Sequence, residues 1–370
     1  MTESPGVIGA GPAHRLATAW ESSAKGECEE ERVVNHSSSM RMTQFASGGG
    51  CSCKIPADSL ETLLAMAYEL QSESGPTAHG VEVICGLETG DDATVVRTAE
   101  GATIISTTDF FPPVVDDAFD WGRIAACNAL SDIYAMGGKP ICALNLLAWP
   151  VDLLPYELAA EVLRGGRAAT DEADCILAGG HSIQSDTPMY GLAVTGLGDQ
   201  MRLLRNDAAE VGDAISLTKP LGLGILNNRH KATGERFPEA IAVMTTLNRD
   251  ASEAAIRAGV RAATDVTGFG LLGHLFKMAR ASGVTAVVNA NAVPYLEGVR
   301  DSLDLGYIPG GSKKNLDWIR PNLHSRCTES ELLLLADAQT SGGLLLAGEV
   351  PGSPVIGEFV APLESVIVVR

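Results

Sequence analysis

The chain has 370 residues, enough for two domains that each bury a core, and its 45% hydrophobic and 20% charged content reads as soluble and globular. Its 46 acidic against 27 basic residues give a formal net charge of -19, which argues against nucleic acid as a partner, since a phosphate backbone needs a basic face. Eight cysteines form no disulfide framework, no signal peptide opens the chain, and the most apolar stretch, Ile141 to Trp149, is too short to span a bilayer; a reducing cytoplasm without membrane insertion is expected.

Residues 1–45 carry the acidic cluster Glu27, Glu29, Glu30 and Glu31, the run Ser37 to Ser39 and no sustained periodicity, which reads as a disordered extension. Residues 46–58 form a flexible, glycine-rich loop around Gly48-Gly49-Gly50-Cys51-Ser52-Cys53-Lys54. Glycines open conformations closed to other residues and let a ligand approach the backbone. An ammonium beside a thiol favours the thiolate, the form that attacks or binds soft ligands. A short helix follows, with Asp58 and Glu61 as a capping pair and Leu60, Leu63, Leu64 and Ala67 on one face. Strands are expected over 81–85, 93–97 and 103–108, then a helix from Trp121 to Met136 stopped by Gly137-Gly138. A strand over 141–147, a helix opening near Pro155 and strands over 175–178 and 189–194 complete a unit spanning 59–208. The pattern then restarts. A strand from Asp213 to Leu217, one long helix from Glu239 to Ala258, a strand end over 262–266 and a helix from Leu271 to Arg280 come first. A strand from Thr285 to Asn289, a helix from Glu329 to Ala336 and strands over 343–347 and 365–369 close a second unit, 209–370. Two mixed α/β, or α+β, units fit this order.

Four aspartates stand at element ends beside small residues: Asp92, Asp109, Asp132 and Asp265. Magnesium prefers hard oxygen ligands and is usually held by a few carboxylates together with substrate phosphates. Each aspartate can also be a cap or turn former, except Asp132, which lies in a small, apolar helical run where a lone carboxylate is costly to bury. Gly179-Gly180-His181-Ser182 and the Gly268, Gly270, Gly273 segment read as glycine-rich turns of the kind whose N–H groups bind anions. Glycine spacing alone leaves plain turn and phosphate cradle equally open, as it does for Thr340-Ser341-Gly342-Gly343. No Walker-type loop is present, and no acidic residue lies between Asp265 and Glu297 to complete a dinucleotide site. Zinc is disfavoured at Cys51 and Cys53 because no second ligand pair has suitable spacing.

Together these motifs resemble the selenophosphate synthetase (selenide, water dikinase) family, from about Met42 to the C-terminus. The resemblance implies a two-domain aminoimidazole-ribonucleotide-synthetase-like fold, with an N-terminal sheet domain forming the dimer and ATP site. It implies a homodimer that converts ATP, hydrogen selenide and water to selenophosphate, orthophosphate and AMP, with magnesium. On the family pattern Cys51 and Lys54 match the catalytic pair, and Asp92, Asp132 and Asp265 the metal ligands. Lys54, Thr89, Gly90, Asp91, Asp109, Asp132, Gly180, His181 and Ser182 match nucleotide-contacting positions. Two departures stand out: Ser52 where glycine is usual, and Ala338 where proline usually precedes Gln339. Open at this point are a kinase or ligase on the same scaffold and a non-catalytic thiol or metal binder. The selenium-delivery protein and any need for a monovalent cation are open too.

Overall fold

Alternating burial gives the first sheet its two faces. The computed structural model describes residues 40–46, 48–55, 57–67, 79–86 and 90–370. The acidic cluster at 27–31 and Thr89 lie outside them. A helix α1 (Ala57–Ala67) precedes strands β1 (Glu82–Cys85), β2 (Thr94–Arg97) and β3 (Thr103–Phe111). In β3, Thr103, Ile105 and Phe111 point to the core while Ser106, Thr108 and Phe110 point outward, the period of two expected of a half-buried strand. Then come α2 (Ala118–Ala135), β4 (Lys139–Trp149), α3 (Tyr156–Glu172), β5 (Ile176–Gln184) and β6 (Met189–Gly198). The sheet order is β1-β2-β3-β6-β4-β5, with β4 and β5 parallel and the other neighbours antiparallel. Helix α2 is buried on almost every side; α3 lies so close that a Cβ on Gly122 would come within 2.0 Å of the Val162 carbonyl.

The second sheet runs β10-β13-β9-β12-β7-β11-β8, comprising β7 (Ala214–Leu217), β8 (Ala263–Asp265), β9 (Thr285–Val288), β10 (Leu323–Ser325), β11 (Leu344–Ala347), β12 (Val355–Val360) and β13 (Ile367–Val369). Its helices are α4 (Leu223–Thr233), α5 (Pro238–Thr245), α6 (Arg249–Arg257), α7 (Gly270–Ser282), α8 (Val299–Asp304), α9 (Gly310–Ile319) and α10 (Glu329–Leu335). Strand β8 is an edge strand ending on Asp265, which is how this sheet delivers a carboxylate to the site. Among the described residues no helix is long and apolar enough to cross a membrane.

Three expectations need correcting. Gly179-Gly180-His181-Ser182 is no turn: it lies within edge strand β5, where Gly180 has a φ of +153° and a Cβ would meet the Asn145 backbone at 2.2 Å. The parallel ladder absorbs this close approach with a register shift between Ala143 and Asn145. The single helix expected over 239–258 breaks at Thr246 to Asn248, because the Thr246 carbonyl accepts from Lys219 Nζ at 2.7 Å and Asn248 donates to Ser131 and to Gly342 O. Residues 41–45, assigned to the extension, are tied down instead. Met42–Phe45 forms a short 3-10 helix, Met42 is buried, and Thr43 donates to Asp116 through both its amide (3.0 Å) and its hydroxyl (2.6 Å).

Candidate active site

The carboxylates come from both halves of the fold. Asp92 sits just before β2, Asp132 in the last turns of α2, and Asp265 at the end of β8. Thr264 Oγ1 donates to Asp92 Oδ1 at 2.9 Å, and the Asp265 amide donates to Asp92 Oδ2 at 3.2 Å, so the backbone of β8 grips Asp92. Ligand atoms of Asp92, Asp265 and His274 lie within 4.8 Å of one another. His274, on α7, has both ring nitrogens engaged: Nε2 by the Thr267 amide at 3.2 Å and Nδ1 by Thr264 Oγ1 at 3.5 Å. Its place is therefore behind the carboxylates, orienting the Thr264 hydroxyl on Asp92. Asp132 stands beside this set and accepts from Thr107 Oγ1 at 2.5 Å.

Electrostatically the floor is loaded with negative charge. Burial first and then Asp265 push Asp92 up to about 8. Burial raises Asp265 to about 6, against a hydrogen bond from Ser131. Burial, Asp265 and Asp109 hold Asp132 well above the usual carboxylate range. Asp265 Oδ2 is buried and has no hydrogen-bond partner among the described residues. A buried carboxylate oxygen without a donor, facing a second carboxylate, is costly unless a proton or cation completes it. This donor set fits a hard divalent cation. Lys277 lies nearby, its Nζ 5.6 Å from the Phe269 ring centroid and close to where a Cβ on Gly90 would stand.

Over this floor lies the Cys/Lys arm. The arm's turn, Gly50–Cys53, is a 3-10 helix in which Gly50 has a φ of +57°, and a Cβ there would overlap Thr340 Oγ1 and Val114. Gly268 leaves room for the Cys51 carbonyl, which a Cβ would meet at 2.6 Å. That is the work of the first glycine in the Gly268 segment. Cys51 is buried; its amide donates to Thr340 Oγ1 at 3.2 Å and its thiol to Asn128 Oδ1 at 3.4 Å. Asn128 Nδ2 donates to Asp109 Oδ2 at 2.6 Å, and Lys54 Nζ reaches the same oxygen at 3.2 Å. A continuous polar chain therefore runs Cys51, Asn128, Asp109, Lys54. The thiolate expected beside Lys54 is not favoured in this arrangement. Burial, then the Asp109 charge, raises Cys51 well above the ordinary thiol value, and the Lys54 ammonium only partly offsets them. Lys54 is itself pulled down by burial but held up more strongly by Asp109, so it stays charged.

Of the residues singled out in the sequence, Cys51, Lys54, Asp109, Asp132, Asp92 and Asp265 are brought together. Asp91 instead accepts from the Asn206 amide at 2.6 Å, beside Gly90, whose φ is +65°. Gly180, His181 and Ser182 are not brought in. Pairing places Gly180 opposite Asn145, Asn145 opposite Leu192 and Leu192 opposite Asp109. Three strand spacings, about 14 Å, separate them. Asn128, Thr264, Thr340, His274 and Lys277 were not identified from sequence as site residues. Thr340 was named only within an ambiguous glycine-rich stretch, and the other four carried no signal of their own. Ala338, the second departure, donates its amide to Ser312 Oγ at 3.1 Å, a bond proline cannot make.

Family models of AIR synthase related protein match this chain, the N-terminal domain over residues 90–198 and the C-terminal domain over 210–364. A selenide, water dikinase of Bordetella bronchiseptica is 48% identical over 87% of this chain and 91% of the relative. One from Photorhabdus laumondii is 49% identical over 84% of this chain and 88% of the relative. Among solved structures, the thiamine monophosphate kinase of Aquifex aeolicus superposes with a TM-score of 0.60 at 18% identity, covering 85% of this chain and 98% of that one. The hydrogenase maturation protein HypE in complex with ATP gives 0.54 at 19% identity, covering 70% and 77%. These structural likenesses speak to the fold, which is the two-domain aminoimidazole-ribonucleotide-synthetase-like architecture.

Proposed function

The chain belongs to the selenide, water dikinase family, and from that premise we propose how its own residues make selenophosphate, orthophosphate and AMP from ATP, hydrogen selenide and water. The reading rests on one observation above all: the Cys51 thiol, Asn128, Asp109 and Lys54 form one hydrogen-bonded chain beside the buried Asp92 and Asp265. Asp92 and Asp265, with Asp132 beside them, are the residues that would hold magnesium, which supplies charge neutralisation to the nucleotide phosphates. Lys54 Nζ, kept protonated by Asp109, presents a positive charge to the transferring group from the arm side. Asn128 fixes the thiol of Cys51 and the carboxylate of Asp109 relative to each other, and phosphoryl transfer depends largely on such positioning. Cys51 receives or positions the selenide rather than accepting phosphate, because a soft sulfur suits a chalcogen better than a hard phosphoryl group. The arm, seated by Gly50 and Thr340, excludes water from the reacting groups.

A second copy of the chain is the proposed cover for the outer face of the first sheet, where Phe110, Leu144, Ile183 and Leu197 lie exposed together. In that homodimer Gly180, His181 and Ser182 on edge strand β5 serve the partner's nucleotide, which suits their distance from their own carboxylates. The test is nucleotide analysis after anaerobic incubation with magnesium ATP. AMP and orthophosphate that appear only with selenide support the reading. ADP as the end product supports an ordinary kinase on the same scaffold and defeats it.

A further inference from the structure

We propose that a lysine-lined cavity bounded by the arm, helix α4 and the start of helix α9 is the entry route for the selenium substrate, taken up as the hydroselenide anion. This rests on the selenophosphate-forming reading and adds where the chalcogen enters and what selects it. The cavity has a volume of about 670 Å³ and is lined by Cys53, Lys54, Lys231, Gly311, Lys314 and Thr340, among others. No aspartate or glutamate lines it among the described residues. In a chain with 46 acidic and 27 basic residues, a cavity with three lysines and no carboxylate is a pronounced local reversal of charge. Helix α9 adds to it, because Gly310 and Gly311, its first two residues, turn the positive end of the helix toward the cavity.

The cavity shares part of its wall with a smaller one. Lys54, Gly311 and Lys314 line, in addition, a second chamber of about 30 Å³ whose wall includes Cys51. A water-sized occupant needs roughly 10–15 Å³ of such space. The chamber therefore accepts an ion with one heavy atom and not a phosphate ester. Hydrogen selenide is a weak acid present mainly as its monoanion at neutral pH, and the acidic floor repels it. A cationic vestibule raises its local concentration, and the narrow chamber brings it to Cys51 while nucleotide phosphates stay with the carboxylates. Lys231 has a second duty, donating to the Ala46 carbonyl at 2.5 Å, so Lys314 carries the cleaner test.

The experiment is steady-state kinetics of the full chain with magnesium ATP and selenide, reading AMP. Lys314→Met is expected to raise the KM for selenide about tenfold, with kcat and the KM for ATP within twofold of the unaltered chain. Lys314→Arg restores the selenide KM. Lys313→Met, the exposed neighbour outside the cavity, leaves it unmoved. Selenide kcat/KM of the unaltered chain falls with ionic strength, and falls less in Lys314→Met. An unchanged selenide KM in Lys314→Met, or equal losses for selenide and ATP, overturns the entry route while the reaction stands. If the unaltered chain makes no AMP with selenide, the reaction itself fails and the route fails with it.

Discussion

The carboxylate floor and the arm above it are held in opposite ways. Asp92, Asp132 and Asp265 are built into a helix and strand ends of two sheets, gripped by Thr264, Thr107 and the β8 backbone. The arm is a short 3-10 turn seated by bonds that include Gly50 to the Pro112 carbonyl, Cys51 to Thr340 and Asn128, and Lys54 to Asp109. The floor carries electrostatic strain in a frame of strands and a helix, whereas the arm is a single turn laid over it and held by side chains from other elements. Rigid preorganisation suits a site that must hold charge. A separate short turn, held by contacts with other elements, suits a cover that must open between turnovers.

Breaking the floor gives the largest effect. Asp265→Asn should cut selenide-dependent AMP formation on the order of a thousandfold, the several kcal/mol expected when a ligand for a phosphate-neutralising cation is lost. In the same variant, without magnesium, thermal denaturation should occur at a higher temperature than in the parent, since one buried charge is gone. A lower melting temperature would show that the carboxylate is structurally needed and weaken the contrast with the arm.

Next in size is Cys51→Ser, expected to cost about a hundredfold or more in selenophosphate formation while the melting temperature barely moves. Full retained activity would remove Cys51 from the chemistry. Gly50→Ala comes third. The left-handed conformation costs a non-glycine residue about 1–2 kcal/mol, and the new methyl would overlap Thr340 and Val114. Activity should fall about tenfold with circular dichroism unchanged; normal activity would mean the arm has another seat.

The smallest effect sharpens the anchoring argument. Asp116 accepts from Arg41 Nε at 2.7 Å and from Thr43, and Arg41 also caps the His230 and Lys231 carbonyls at the end of α4. Burial alone would raise Asp116, but hydrogen bonds from His230, Thr43 and Arg41 outweigh it and hold the carboxyl far below the usual range. A depressed carboxyl stabilises the folded state fully above its ordinary value of about 4 and loses that contribution as pH falls toward the folded value. Protection of the Thr43 amide, its exchange compared with that of an unstructured amide at the same pH, should therefore fall below about pH 4, and be low already at neutral pH in Asp116→Ala. Protection at Asp265 should respond to neither change.

Much of the fold was legible in sequence because period-two and helical patterns mark β3, α2, α3 and α7 directly. The exceptions have physical causes. β5 continues through Gly179 and Gly180 because the parallel ladder absorbs a register shift, which no local signal reveals. The break between α5 and α6 depends on Lys219 and Asn248 reaching across the fold. In the site, the aspartates showed themselves as carboxylates beside small residues, and Cys51 and Lys54 by their adjacency. Asn128 and Thr264 did not, and Thr340 did so only as part of a glycine-rich stretch, since each acts through a partner that is distant in sequence. The ionisation of Cys51 was also hidden: adjacency to Lys54 suggested a thiolate, but burial and Asp109 decide otherwise.

Phosphorus NMR of the purified chain with ATP, magnesium and selenide under anaerobic conditions tests the whole account in one tube. A new selenium-bonded phosphorus resonance growing together with AMP and orthophosphate is the predicted result. ATP consumed to ADP, with no phosphorus–selenium signal, would contradict it.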